Sequence, residues 1–385
     1  MPSVHTSEDA STYPAGVRAI LTDLRRLVET ESPSSDLDAV EHSAHAVAEL
    51  IFERLGRRPE ILCVQGVHHV LLSGSTARVM ILAHHDTVWP LGTLADLPYS
   101  ESDGIIRGPG CFDMKLGLTQ SIHALSQLKE RHGDYILEHV TLLVTGDEEL
   151  GSPTSREIIE NEVLPCRAAL VLEAAGPGGA LKTERKGVSR YQIEIIGRAA
   201  HSGLEPEKGI NATIAAAEVI LEIAELADQT AGTTATPTVL NSGTAPNTVP
   251  AKAVFDVDVR ASTPQEQQRV DQSIRAINSR VRGAEVVVHG GINRPPMEHD
   301  AAISLFRDAQ RIARNLGHAP LKEVSVGGAS DGNFTAGLGV PTLDGMGAVG
   351  GGAHARDEHA EIAWILPRTE LLRDLVEELV HKSES

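Results

Sequence analysis

Three short runs in this chain, 79–82, 140–144 and 168–172, are apolar along almost their whole length. A strand without polar alternation has no face to offer water, so it must be covered on both sides. The segments around these runs have helical spacing. Val17, Ile20, Leu21, Leu24, Leu27 and Val28 recur at intervals of three and four. Residues 37–55 repeat the pattern, with Ser35 or Asp36 as a cap and Gly56 as a stop. Further helices are expected at 115–132, 301–316 and 367–381, and further strands at 60–64, 69–73 and 340–343. Strands alternating with helices predict an α/β fold, a mixed sheet sandwiched by helices.

The pattern changes after Lys186. Residues 188–197 largely alternate, with Tyr191, Ile193 and Ile195 set against Gln192, Glu194 and Ile196. A helix at 210–228, strands at 238–242 and 253–259, a helix at 264–281 and a strand at 285–289 follow. That order, β-α-β-β-α-β, is the ferredoxin-like split unit. At roughly 110 residues it is large enough to be a small α+β domain of its own. The α/β pattern resumes after Pro295, so 187–297 reads as a domain inserted into one built from 1–186 and 298–385. The glycine-rich stretches 327–328 and 347–352 read as loops, and 1–14 as a loose tail.

Composition removes several classes of function. A net charge of −19, from 34 basic and 53 acidic residues, repels phosphate backbones. Aromatics at 3% leave little for base stacking, so no nucleic-acid partner is expected. The apolar runs are too short to span a bilayer, so no membrane partner is expected either. Residues 1–15 lack a basic and apolar leader, and the protein is read as cytoplasmic. Cys63, Cys111 and Cys166 fit neither a disulfide framework nor a zinc-finger spacing, and are expected as buried free thiols in a reducing compartment.

In open α/β sheets ligands bind beyond the carboxyl ends of the strands. His84 and Asp86 follow the first apolar run, Glu148 and Glu149 the second, and Glu173 the third. Histidine with carboxylates suits zinc, and paired carboxylates can hold two ions. A lone histidine after a strand is commonly a loop residue, and a lone acid pair a solvated turn. Three such motifs at three strand ends point instead to one metal site.

Read together, the motifs resemble the M20 family of metallopeptidases, within it the glutamate carboxypeptidase branch. The resemblance rests on His84-His85-Asp86-Thr87-Val88, Gly108-Pro109-Gly110-Cys111-Phe112-Asp113-Met114-Lys115-Leu116-Gly117 and Asp147-Glu148-Glu149-Leu150-Gly151-Ser152. It continues through Gly197-Arg198-Ala199-Ala200-His201-Ser202-Gly203, Asn247-Thr248-Val249-Pro250, Asp258-Val259-Arg260 and residues 350–354. These occur in family order and cover nearly the whole chain.

The resemblance implies two zinc ions per chain, with cobalt or manganese as substitutes. It makes His84, Asp113, Glu149, Glu173 and His354 the ligands. Asp113 would bridge, Glu173 would complete the His84 ion, and Glu149 and His354 the other. Asp86 would orient His84. Glu148 would be the general base and then the proton donor to the leaving amine. His201 would stabilise the oxyanion, reaching in from a partner subunit. Arg260 and Asn247 would bind a substrate carboxylate, and Gly328 would contact substrate through its backbone. The inserted domain would be a lid and a homodimer contact. His85, His359 and Cys111 are read as non-ligands, and Asp331 as a substrate contact or a turn residue.

Each role has a plainer competitor. Asp113 could cap the helix at 115–132. His354 could be a flexible loop residue, Arg260 a surface cation paired with a nearby acid, and His201 a turn residue before Gly203. The expected function is a dizinc hydrolase acting on small peptides or N-acyl amino acids. It would cleave an amide bond beside a free carboxylate, as a carboxypeptidase with glutamate favoured by resemblance. The alternatives are an N-acyl amino acid deacylase of the aminoacylase or acetylornithine deacetylase kind, and a catalytically silent metal-binding protein. An unligated base at Glu148 counts against the last.

Overall fold

The computed structural model describes residues 13–382, so most of the tail expected at 1–14 lies outside the described residues. The chain forms two compact units. Of the described residues, the larger takes those through Glu184, His299–Ser325 and those from Ser330 on.

A six-stranded mixed sheet organises this unit, in the order Glu60–Val64, Val67–Leu72, Val140–Thr145, Val79–His84, Ala168–Val171, Thr342–Leu343. The first two strands are antiparallel to their neighbours, and the last four run parallel. Every residue of the three apolar strands is buried, as their lack of alternation demands. Met80 and Leu82 pack with Ile159, Val163 and Phe334 on one face. Side chains alternate along a strand, so Val79 and Ile81 point the other way. There the helices Leu116–His132 and Ile365–His381 supply the cover.

Local chemistry sets the element ends. Asp36 caps Leu37–Leu55 by accepting the Ala39 N–H at 3.0 Å, and Gly56 ends that helix at φ +64°. The register pairs His84 with Thr145 and Leu82 with Val171, so three carboxyl ends lie side by side.

The second unit comprises Arg185–Glu298 with Val326–Ala329. Its antiparallel sheet runs Thr234–Ser242, Lys252–Ala261, Gly187–Ile196, Glu285–Arg294. This is the ferredoxin-like order. The helices Ala212–Ala224 and Pro264–Ala276 pack on one face, where Ala215, Val219, Val270 and Ile274 meet Ile193 and Phe255. The other face stays partly open, which is why burial alternates along Lys252–Ala261.

Several expectations need correction. The helix placed at 210–228 is Ala212–Ala224, because Asn211 takes the Thr213 and Ile214 N–H groups as a cap. The helix placed at 264–281 stops at Ala276, where Ile277 turns extended. The strand placed at 238–242 begins at Thr234. It carries Pro237 because it is an edge strand, and its register shifts between Pro237 and Leu240. Gly350–Gly351 is not loop but pairs with His359–Glu361. Cys63 is exposed, on the edge strand of the large sheet, while Cys111 and Cys166 are buried as expected. The hairpin Ser100–Ser102 with Ile105–Arg107 and the helices Arg156–Val163 and Gly332–Gly337 had no clear signal in the sequence.

Candidate metal centre

The large sheet delivers its polar residues to one edge. His84 ends its strand, Glu148 and Glu149 occupy the first turn after Thr145, and Glu173 lies two residues past Val171. Backbone approach holds the last of these in place. A Cβ at Gly117 or Gly347 would sit 2.1 Å from the Leu172 carbonyl oxygen, and the Gly347 N–H donates to the Glu173 carbonyl at 2.9 Å. Only glycine permits that closeness.

Asp113 lies in the turn Cys111–Lys115, whose Asp113–Met114 peptide is cis. It is not a helix cap, since no side chain caps Leu116–His132. Its carboxylate instead faces two imidazoles. Oδ1 lies 3.5 Å from His84 Nε2, and Oδ2 lies 3.3 Å from His354 Nε2. His84 Nε2 also stands 3.6 Å from Glu173, and His354 Nε2 stands 3.2 Å from Glu149. The residues expected as ligands thus converge, with Asp113 between two groups.

Asp86 is fully buried and does more than expected. The acceptor nearest His84 Nδ1 is the Asp86 backbone oxygen at 2.9 Å, with the carboxylate at 3.4 Å. A carbonyl only accepts, so Nδ1 carries a proton and Nε2 is the nitrogen left to face the site. The Asp86 carboxylate accepts the Glu148 and Glu149 N–H groups, both at 3.2 Å, and the Ser34 hydroxyl at 2.6 Å. It therefore locks the turn that carries both glutamates.

Asp147 has a similar duty, which the sequence reading missed. Its buried carboxylate accepts from the backbone and hydroxyl groups of Thr154 and Ser155 and closes the loop behind Glu148. Two hydroxyl residues seven and eight positions downstream were the available signal. Asp331 accepts from Thr145 at 3.0 Å and from the Ser152 hydroxyl, so it braces this same turn. His85 is buried against Ser43 and the His68 carbonyl, away from any ligand role.

The donor set fits ions. His84 Nε2 and Asp113 Oδ1 are buried and have no hydrogen-bond partner, although they face each other. Two donors on one tetrahedral zinc, each at about 2.0–2.1 Å, lie about 3.3 Å apart. The four contacts above span 3.2 to 3.6 Å. Ligand atoms of His84, Asp113 and Glu149 all lie within 4.8 Å of one another, as do those of His84, Glu148 and Glu173. Geometry alone therefore groups Glu148 with the ligands.

The electrostatics point the same way. Burial opposes charge on His84, but Asp113 and Asp86 outweigh it and raise its pKa well above normal. Asp113 and Glu149 raise His354 to about 10. Burial also opposes charge on Asp113, yet His354 and His84 hold its carboxyl well below the usual range. With no ion bound, both imidazoles carry protons at pH 7, and an entering cation must displace them. Zinc uptake by the metal-free chain is expected to release protons, with an apparent affinity that rises between pH 6 and 8. Calorimetry in buffers of differing ionisation heat measures this, and uptake without proton release would contradict it. The metal-free fold should respond in the opposite sense. The His354 pKa lies above its unfolded value of 6.5, so the stability from its ion pairs is complete below pH 6.5 and is lost as pH climbs through about 10.

The sequence model of peptidase family M20/M25/M40 matches residues 80–378. The chain belongs to that family. It is accordingly a hydrolase of the metallopeptidase and amidohydrolase kind, acting on amide bonds. Carboxypeptidase G2 of Pseudomonas sp. (strain RS-16) is 27% identical over 372 residues, 94% of this chain and 89% of that protein. Succinyl-diaminopimelate desuccinylase of Leptothrix cholodnii is 26% identical over 326 residues, 78% of this chain and 82% of that protein. Among solved structures, aminopeptidase PepT from Bacillus cereus superposes with a TM-score of 0.72 at 20% identity, covering 94% of this chain and 98% of that one. Among the described residues no helix is long and apolar enough to cross a membrane.

The other expected site residues lie in the second unit. His201 and Asn247 sit on neighbouring exposed turns, joined by a Ser202 N–H to Asn247 carbonyl bond of 2.9 Å. His201 Nδ1 accepts the Gly203 and Leu204 N–H groups, both at 3.2 Å. The turn role is therefore real, and it leaves Nε2 as the protonated nitrogen of the neutral ring. Arg260 forms a two-pronged ion pair with Asp258, at 2.7 and 2.9 Å. This is the surface pairing that competed with substrate binding. The Gly328 carbonyl accepts from Arg185 at 3.1 Å.

Proposed function

We propose that the protein is a dizinc hydrolase that cleaves an amide bond beside a free carboxylate, as a carboxypeptidase releasing a C-terminal amino acid, glutamate foremost. One observation carries this reading. Each oxygen of the Asp113 carboxylate faces a different imidazole, His84 at 3.5 Å and His354 at 3.3 Å, with acids beside both. A single carboxylate set between two histidine-acid groups is an arrangement that can hold two ions. Similarity to carboxypeptidase G2 along most of both chains supports the carboxypeptidase reading, and the glutamate preference rests on the resemblance of the motifs to the glutamate carboxypeptidase branch.

Bound ions would polarise the scissile carbonyl and make a water at the site more acidic. His84 Nε2 and Glu173 would hold one, His354 and Glu149 the other, and Asp113 both. Glu148, buried and fixed at its backbone by Asp86, would take the proton of the attacking water and pass it to the leaving amine. From the second unit, His201 Nε2–H would donate to the developing oxyanion. Arg260 and Asn247 would bind the substrate carboxylate, and Gly328 would contact substrate through its backbone. That unit would act as lid and homodimer contact.

Similarity to a succinyl-diaminopimelate desuccinylase supports a second reading, an N-acyl amino acid deacylase using the same residues. A substrate panel separates the two. C-terminal glutamyl and other peptides are compared with N-acetyl, N-succinyl and other N-acyl amino acids, with zinc added and with chelator. Preference for peptides that chelator abolishes supports the first reading. Turnover of the acyl compounds alone supports the second, and turnover unaffected by chelator overturns both.

Arg260→Ala tests the carboxylate clamp. The bidentate pair with Asp258 shows that the guanidinium already presents two parallel donors, which an anionic substrate would share or take over. Loss of about 10- to 100-fold in kcat/KM is expected on free-acid substrates, from two charge-assisted bonds, with a smaller loss on the matching amides. Equal loss on both would make Arg260 structural.

A further inference from the structure

Close to the ligands lies a buried carboxylate to which the mechanism above gives no task. Glu358 is 4% exposed, and its charge favours the ammonium of buried Lys115 without a hydrogen bond from it, since Lys115 donates to the Leu27 and Thr30 carbonyls. N–H donors fill both its oxygens instead. Oε1 accepts from Phe112 N at 3.0 Å and Asp113 N at 3.1 Å. Oε2 accepts from Gly110 N at 3.0 Å and the Trp89 indole at 2.7 Å. A carboxylate offers about four lone-pair sites, so these four donors saturate it.

The donors come from segments that matter. Three belong to the backbone of the turn that carries Asp113, and the fourth comes three residues after Asp86. Glu358 itself is four residues past His354, and two tight turns join them. The Ala355 N–H donates to the Gly352 carbonyl and the Glu358 N–H to the Ala355 carbonyl, both at 2.9 Å. Within those turns His354 has φ +61°, a left-handed conformation uncommon for a residue with a side chain. Such a conformation persists where the surroundings over-determine it.

We infer that Glu358 is a positioning residue: seated among the N–H groups of the Asp113 turn, it fixes the spacing between Asp113 and His354 and so sets the affinity of the ion held by Glu149 and His354. Metal–ligand distances tolerate deviations of only about 0.2 Å, so two ligands on separate segments need a rigid tie between the segments. Four hydrogen bonds from two segments to one buried carboxylate make such a tie. The inference rests on the two-ion reading above.

Glu358→Gln keeps the shape but turns an NH2 group toward two N–H donors, whichever way the amide lies. The test titrates the full-length chain with zinc against a competing chelator and measures the melting temperature of the metal-free form. One of the two zinc steps is expected to lose 10- to 100-fold in affinity, with the other step nearly unchanged and the metal-free melt within a few degrees of wild type. Trp89→Phe removes one donor, should weaken the same step less, and carries the test if the glutamine variant fails to fold. Wild-type affinity at both steps in the folded variants overturns the inference. An equal fall at both steps with a lower metal-free melt also overturns it, because that marks general loss of packing. A wild-type chain that takes up fewer than two zinc ions overturns the two-ion reading and this inference with it, and the wild-type titration alone shows that.

Discussion

Replacing Glu148 by glutamine is expected to lower turnover by about 10²–10⁴ while two ions stay bound. The reason lies in what the substitution leaves alone. The Glu148 N–H is held by Asp86, the loop behind it by Asp147, and neither contact uses the Glu148 side chain. An amide of the same shape therefore stays in place but cannot accept a proton from water. The experiment also settles what geometry leaves open, since Glu148 lies as close to His84 and Glu173 as a ligand would. Metal content and turnover are measured on the same sample. Normal zinc with collapsed turnover makes Glu148 the base. A lost ion, with unchanged turnover per remaining ion, makes it a ligand.

Much of the fold could be read from the sequence because burial on both faces leaves a plain mark. The runs 79–82, 140–144 and 168–172 had to be central strands, and the parallel order among them then put His84, Glu148 and Glu173 at one edge. The alternation at Tyr191, Ile193 and Ile195 likewise announced a sheet with one covered face. The supporting carboxylates were harder to see. Asp147 and Glu358 look like ordinary acids in sequence, and they differ only in the donors that distant segments bring to them. Glu358 meets Gly110, Phe112 and Asp113 across some 245 positions of chain. No local period encodes such a meeting. Short edge elements escaped for a related reason: the hairpin 100–107 has too few residues to show a period, and its second strand also pairs with the distant His359–Glu361. Arg260 shows the converse limit. The structure places it on the open sheet face, where its partner Asp258 sits two residues away, and nothing in the sequence chose between that pairing and a substrate carboxylate.

The second large effect concerns His201. His201→Ala should reduce turnover by about 10²–10³, the loss typical of one oxyanion donor. Its Nδ1 is committed to the turn, so the substitution also frees the Gly203 and Leu204 N–H groups, but these are exposed and water can satisfy them. Zinc content should not change. If the histidine serves the partner's site in a homodimer, two dead variants should rescue each other. Mixing His201→Ala with Glu148→Gln under conditions of subunit exchange creates dimers with one site that has both groups intact and one that has neither. Activity should reappear, up to half the sites of each mixed dimer. A two-fold contact makes this arithmetic necessary, because whatever one chain lends it also receives. Verified mixed dimers that regain nothing would place His201 within its own chain's chemistry or outside the reaction. A fully active monomer would remove the shared site altogether and leave oxyanion stabilisation to the ions and to this chain's own donors.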